Sequence, residues 1–258
     1  MIKYLKISLK SKEKLPFKFI GLTIRGVFGV GLKNVVCINP SKECKECFAK
    51  NNCLYYDFYE VDNPKWRLGL NLNSNVEFDL FLFEEASLKI SYVLTGLYFG
   101  FAKIGIKNKP IDFQLFVNDE LIFDRKKFLN VDIKEKEFRV DEIRNNCIIE
   151  FITPFRIKEN ILLKDVNLDA ILENIYDRLN GLKNQPIQEL HKPTYKIKSQ
   201  QFKFVDFTKA SHKQKLGGLI GKIELDEIDN KSYYFLKLAE IIGVGKGTTF
   251  GLGNIKVN

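Results

Sequence analysis

Between Cys147 and Val257 the apolar residues change their repeat in an order that few folds satisfy. CIIEFIT at Cys147–Thr153 alternates as a strand does, Asn167–Leu182 carries a helical stripe, and Gln201–Phe207 and Gly218–Leu225 alternate again. Lys231–Ile242 returns to the helical period, and Leu252–Val257 closes with a strand. The order β-α-β-β-α-β is that of a ferredoxin-like (RRM-like) module. The first half can be written the same way: strand 2–10, helix Phe19–Val36, strand Asn75–Phe83, helical stretch Ala86–Ile104, then strands Ile111–Val117, Leu121–Asp124 and Glu137–Val140. A cysteine-rich loop and an extra hairpin are the insertions. The predicted fold class is therefore α+β, two tandem ferredoxin-like domains over residues 1–145 and 146–258. No Pro/Gly linker marks the boundary expected near Arg144–Asn146.

A chain of 258 residues, 45% hydrophobic and 28% charged, has the material for one large core or two modest ones. Its longest uncharged, mostly apolar stretch, Tyr92–Ala102, is about half the roughly 20 residues a bilayer span needs, so no membrane partner is expected. The opening MIKYLKISLKSKEK alternates rather than building an apolar block, which predicts a cytoplasmic protein without a secretory signal. Lys and Arg number 41 against 32 Asp and Glu, and the excess of nine favours a polyanionic partner such as nucleic acid. Only two histidines, His191 and His212, are available for proton transfer near neutral pH.

Four of the five cysteines, Cys37, Cys44, Cys47 and Cys53, fall within 17 residues as C-x6-C-x2-C-x5-C. Four thiolates on a tight loop suit a tetrahedral structural zinc, and an iron–sulfur cluster is ligated by the same set. Four reduced cysteines without a metal are the plain alternative, and nothing in the spacing points to a catalytic metal. Cys147 stands in an apolar strand and reads as a small core residue.

Five of the 17 glycines lie in GVGKGTTFGLG, Gly243–Gly253, between the last helix and the last strand. Glycine at this density frees the backbone for positive φ and lets N–H groups approach an anion, with Lys246 adding a cation and Thr248 and Thr249 adding hydroxyls. The order of helix, glycine loop and strand is the reverse of a nucleotide P-loop. A long turn with no ligand is the alternative.

GVGKGTTFGLGNIKV at Gly243–Val257 resembles the C-terminal glycine-rich loop of the CRISPR-associated RAMP endoribonucleases, in particular the branch that cuts precursor CRISPR RNA within its repeats. IRGVFGVGLKNVVC at Ile24–Cys37 with the cysteine loop, FITPFRIK at Phe151–Lys158 and SHKQKLGGLIGKI at Ser211–Ile223 are similar to stretches of the same branch. The resemblance implies two ferredoxin-like domains and a glycine loop that holds RNA. It also implies metal-independent attack of a ribose 2′-hydroxyl on the adjacent phosphate, leaving a 2′,3′-cyclic phosphate and a 5′-hydroxyl. The implied partner is CRISPR repeat RNA. The alternative is a catalytically silent RAMP protein that binds the repeat-derived part of guide RNA beside other Cas effector subunits. Val30 stands where a histidine is common in the family's first helix, and Gly243 where some relatives carry one; neither can move a proton.

The candidate catalytic residues are therefore His212, Lys33 and Arg25. His212 sits among Lys209, Lys213 and Lys215, whose charges would keep it neutral and suited to act as a base. Arg25 and Lys33 share a face of the first helix, where the resemblance places the cutting site. The candidate RNA-binding residues are Arg156, Lys158, Lys209, Lys213, Gly245, Lys246, Gly247, Thr248 and Gly251. His191 reads as a loop residue, and Tyr55, Tyr56 and Tyr59 as a strand packing its rings against the core.

Overall fold

The computed structural model describes residues 1–16, 18–40, 43–124, 127–157, 166–185, 192–208 and 214–258. They form two compact units. The N-terminal unit takes residues 3–66 and 73–136, and the C-terminal unit takes 1–2, 67–72 and 137–258. The break thus falls nine residues before the expected one (145 against 136), and a short piece from the first half of the chain joins the second unit.

In the N-terminal unit the strand β1 (Lys3–Lys14) is central. It pairs antiparallel with β3 (Asn75–Phe83) on one side and β4 (Gln114–Val117) on the other; β2 (Trp66–Gly69) is the strand along which the chain passes between units. Leu5, Ile7 and Leu9 point to the buried face and are at most 2% exposed, as period-two alternation requires. β4 turns into β5 (Glu120–Asp124) through Asn118 and Asp119, both at positive φ, the two-residue geometry that matches strand twist. A short β6 (Lys127–Phe128) follows β5.

Helices α1 (Gly21–Val36) and α3 (Ile90–Tyr98) pack together in this unit, with the six-residue helix α2 (Leu54–Tyr59) between them in sequence. Their approach is glycine to glycine. A Cβ on Gly31 would overlap the carbonyl oxygen of Gly96 and the backbone of Gly100. The expected helix Ala86–Ile104 is built in three pieces: a 3-10 turn at Glu84–Lys89, α3, and a π-helical turn at Phe99–Ile104 that ends on Gly105 at φ 79°. Of the expected strand Ile111–Val117 only the last four residues join the sheet, although Ile111 and Phe113 are buried.

Two expectations fail here. Tyr55, Tyr56 and Tyr59 lie on α2 and not on a strand; their near-alternation is also an i, i+1, i+4 helical pattern, which six residues do not resolve. The segment Glu137–Val140 forms no strand beyond the two-residue β7 (Lys136–Glu137), because its single buried side chain, Phe138, gives alternation nothing to repeat.

The C-terminal unit has the sheet order β11-β8-β10-β9, from β8 (Cys147–Phe155), β9 (Lys196–Asp206), β10 (Gly217–Asp226) and β11 (Ile255–Val257). With α4 (Leu168–Leu182) after β8 and α5 (Asn230–Ile242) after β10, this is the ferredoxin-like order expected. Asn167 and Asp229 cap the two helices, each accepting two backbone N–H bonds. Leu168, Ile171, Leu172 and Ile175 of α4 and Leu236, Ala239 and Ile242 of α5 are fully buried. β9 starts five residues earlier than expected, since its exposed, lysine-rich first half pairs with β10 without an apolar stripe to announce it. Among the described residues no helix is long and apolar enough to cross a membrane.

Candidate nucleic-acid interface

The glycine loop of the C-terminal unit is a closed clasp. Gly243, Gly245, Gly247, Gly251 and Gly253 all adopt φ between 66° and 81°, where L side chains are strained. Close approach adds to this at Gly245, where a Cβ would overlap the carbonyl oxygen of Arg156, and at Gly253, where it would overlap that of Val244. The two ends of the loop meet through Val244 N–H donating to Gly253 O at 2.9 Å, and Gly253 N–H donates to Pro154 O at 2.9 Å. Gly245 N–H donates to Asn174 Oδ1 at 2.6 Å and Lys246 N–H to Arg156 O at 3.0 Å. Most loop N–H groups are thus used within the protein, and Thr248 is only 3% exposed. What the loop offers to solvent is the side chain of Lys246.

Two arginines hold the base of this loop. Arg67 has no exposed surface; its Nε donates to Ile241 O at 2.5 Å, its Nη2 to Glu240 O at 2.7 Å, and both Nη atoms reach Asn254 Oδ1 at 3.3 Å. Arg178 Nε donates to Ile242 O at 2.6 Å, and burial pulls its pKa down to about 10. The last carbonyls of α5, which a helix end leaves unpaired, are thereby capped by cations that also suit the helix dipole. Reading the sequence missed Arg67. The signal was a lone arginine inside the apolar run Trp66, Leu68, Leu70, each at most 2% exposed.

Arg156 adjoins the loop. Its Nη2 donates to Lys215 O at 3.3 Å, while its Nε is buried and has no hydrogen-bond partner among the described residues. A cavity of about 30 Å³ beside it, lined by Phe155, Ala170 and Leu219, has room for about one water and none for a nucleotide. Lys158, Lys209, Lys213, His212 and His191 lie outside the described residues.

On α1, in the N-terminal unit, the two candidate cations rest on aromatic faces. The Arg25 guanidinium lies 4.4 Å from the Tyr59 ring centre and 5.5 Å from that of Trp66, and burial lowers its pKa. The Tyr59 hydroxyl donates to Arg25 O at 2.9 Å, and Tyr55 stacks on Tyr59 with ring centres 4.9 Å apart. Lys33 Nζ lies 5.4 Å from the Tyr55 ring centre. Val30, three residues before Lys33, is 50% exposed. Gly243, the second position without a proton carrier, is buried at the base of the glycine loop against Arg67.

The cysteine loop leaves α1 at Cys37 and enters α2 after Cys53, with Cys44–Glu46 as a 3-10 turn whose Cys47 N–H donates to Cys44 O at 3.3 Å. All four thiols are free and partly exposed. Burial raises the pKa of Cys44, Lys33 opposes it, and Cys37 and Cys53 add to it. As placed they do not converge: among the described residues no three His, Cys, Asp or Glu side chains stand together as metal ligands.

Residues 149–255, which include the glycine loop and Arg156, match the family model of the CRISPR-associated endoribonuclease Cas6, and residues 2–77 match a model described as an N-terminal domain. An uncharacterized protein of Archaeoglobus fulgidus is 21% identical over 272 residues, covering 93% of this chain and 91% of its own. Among solved structures the fold is similar to a Cas6 product complex (15% identity, TM-score 0.59, all of this chain and 99% of that one). It is similar also to Thermus thermophilus Cas6 (15%, 0.56, all of this chain and 98% of that one). The glycine loop thus lies inside the segment that matches the Cas6 family model, and over its whole length the chain has the double ferredoxin-like fold of the Cas6 structures it resembles.

Proposed function

We propose that this protein is an endoribonuclease that cuts precursor CRISPR RNA within its repeats without a metal ion. The match to the Cas6 family over residues 149–255, ending in the clasped glycine loop, is the observation that carries the reading. In the reaction a base removes the proton of a ribose 2′-hydroxyl, the oxygen attacks the adjacent phosphorus in line, and the bond to the 5′-oxygen breaks as that oxygen gains a proton. The products are a 2′,3′-cyclic phosphate and a 5′-hydroxyl. Loss of acid–base help costs roughly 10²–10⁴ in rate, so cations around the pentacoordinate phosphate can sustain slow cutting.

The chain supplies such cations. Lys33, one helical turn from Val30 and seated on Tyr55, is the residue we assign to the transition-state charge. His212 is assigned as the base. Arg25 lies against Tyr59 and Trp66 and fits the support of that aromatic stack better than the grip of a phosphate. Lys246 and Arg156 fit the RNA backbone, as Lys158, Lys209 and Lys213 do by their charge. The cysteine loop would take up a structural metal, zinc before an iron–sulfur cluster, by drawing its four thiols together; a purified protein with well under one metal ion per chain would end that assignment.

The test is incubation of the protein with its own labelled repeat RNA in excess EDTA, beside the same RNA carrying a 2′-deoxy substitution at the cut. Cutting of the first alone is expected. Cutting of both, or cutting only with added metal, would overturn the mechanism. The reading as a silent guide-RNA-binding subunit is favoured by one observation, that Val30 and Gly243 cannot carry a proton; tight binding with no cutting of either RNA would establish it.

A further inference from the structure

Phe204 is exposed over 55% of its surface, on the edge strand β9 of the C-terminal unit. A single exposed apolar side chain means nothing by itself, but the floor and the rim of this one are built. Phe204 pairs with Leu219, and the next pair on the same face of the strand is Asp206 with Gly217. The ring leans diagonally onto Gly217, where a Cβ would stand 2.9 Å from the Phe204 Cζ. Glycine at this point leaves a flat backbone beneath the ring and the remainder of the ring to solvent.

The rim is cationic. Lys215, two residues before Gly217, is exposed. Arg156 donates to Lys215 O at 3.3 Å and accepts the Lys246 N–H at 3.0 Å, so the chain of neighbours runs from Phe204 to the glycine loop. Asp206 is the carboxylate of this rim, and its pKa is lowered first by Thr208 and further by the charge of Arg156. A peptide partner would ask for exposed apolar neighbours around the ring, whereas the exposed neighbours here are Asp206 on the same strand face and Lys215 before Gly217.

We propose that Phe204 is a stacking platform for one unpaired base of the bound RNA, with Arg156, Lys215 and Lys246 on the flanking phosphates. This rests on the RNA reading above. Stacking on a ring is tolerant of base identity because every base has a π face, so the site selects single-stranded over paired RNA rather than one sequence.

The experiment is binding of a single-stranded repeat RNA, intact and with an abasic nucleotide at each position in turn. For the wild type one abasic position is expected to weaken binding roughly 5- to 150-fold. Phe204→Ala weakens the intact RNA by a similar factor and becomes insensitive to that position, while Phe204→Trp retains both. The salt slope stays that of the wild type in Phe204→Ala and becomes shallower by about one contact in Lys215→Ala. A Phe204→Ala protein that binds as the wild type does, or that stays sensitive to the same abasic position, overturns the platform and leaves the RNA reading standing. A wild type that binds RNA no better than heparin overturns both.

Discussion

A guanidinium with no exposed surface must place its donors inside the protein, and Arg67 places its own on Glu240, Ile241 and Asn254. It therefore ties the residues before the glycine loop to those after it. Arg67→Gln leaves two helix-end carbonyls without partners, and at 1–3 kcal/mol for each buried group left unsatisfied the expected loss is roughly 3 kcal/mol in urea unfolding. A loss under about 1 kcal/mol would mean the loop base is held by Arg178 and the backbone alone. The helical face of α1 behaves differently. Arg25→Ala should destabilise through lost ring contact, whereas Lys33→Ala should leave the melting temperature in place and slow cutting about 100-fold. Equal stability losses in the two variants would put both cations in the scaffold. In the sequence Arg25 and Lys33 look alike, two cations on one helix face; which of them is covered by rings depends on Tyr59 and Trp66, 34 and 41 residues beyond Arg25, and no local pattern encodes that.

At the scale of elements, the apolar periodicity placed both central strands, α1, α4 and α5 where they stand, because each has one face in a core and a repeat long enough to read. It did not reveal how the helix from Glu84 to Ile104 divides into 3-10, α and π turns, since the apolar stripe continues through all three. The glycines there have a packing reason. Gly31→Ala would push α1 off α3 at Gly96 and Gly100, and overpacking at backbone contact is expected to cost about 1–3 kcal/mol, read as a lower urea midpoint at unchanged slope. A variant as stable as the wild type would show that the helices separate freely. The β4–β5 turn makes a pH prediction. Burial alone would raise the Asp119 carboxyl, but Lys6 and Lys136 outweigh it and hold its pKa below the ordinary aspartate value. The folded chain thus takes up this proton later than the unfolded chain as pH falls. Its contribution is whole above the usual carboxylate titration and is lost as acidification passes the folded value. Asp119→Asn, which keeps the tolerance for positive φ, should lower the urea midpoint at pH 7 and approach the wild type near pH 2; a constant difference at both would place the effect in the turn rather than the charge.

For the whole molecule, the order of elements was legible in the sequence and the partition of the chain between units was not. Alternation tells which face of a strand is buried but not beside which strand it lies, so the passage from Trp66 in one unit to Arg67 in the other leaves no mark on the apolar pattern. A domain cut at 145/146, where the repeat of elements starts again, removes more than a linker from the C-terminal unit. It takes away Arg67 and the carbonyl of Leu70, which accepts from Asn254 Nδ2 at 2.8 Å. It also takes Phe138, whose ring centre is 5.4 Å from that of Tyr234, and the carbonyl of Asn145, which accepts from Ile228 N–H at 2.9 Å. A unit of this size has about 5–15 kcal/mol of stability to lose, and the Arg67 and Phe138 contacts together are worth a large part of it. The fragment 146–258 is therefore expected to unfold over a broad, non-cooperative range by circular dichroism, and extension to 137–258 to recover only part of the transition because Arg67 is still missing. A sharp transition of 146–258 with the urea midpoint of the intact chain would show that the glycine loop and its sheet need neither residues 67–72 nor 137–145.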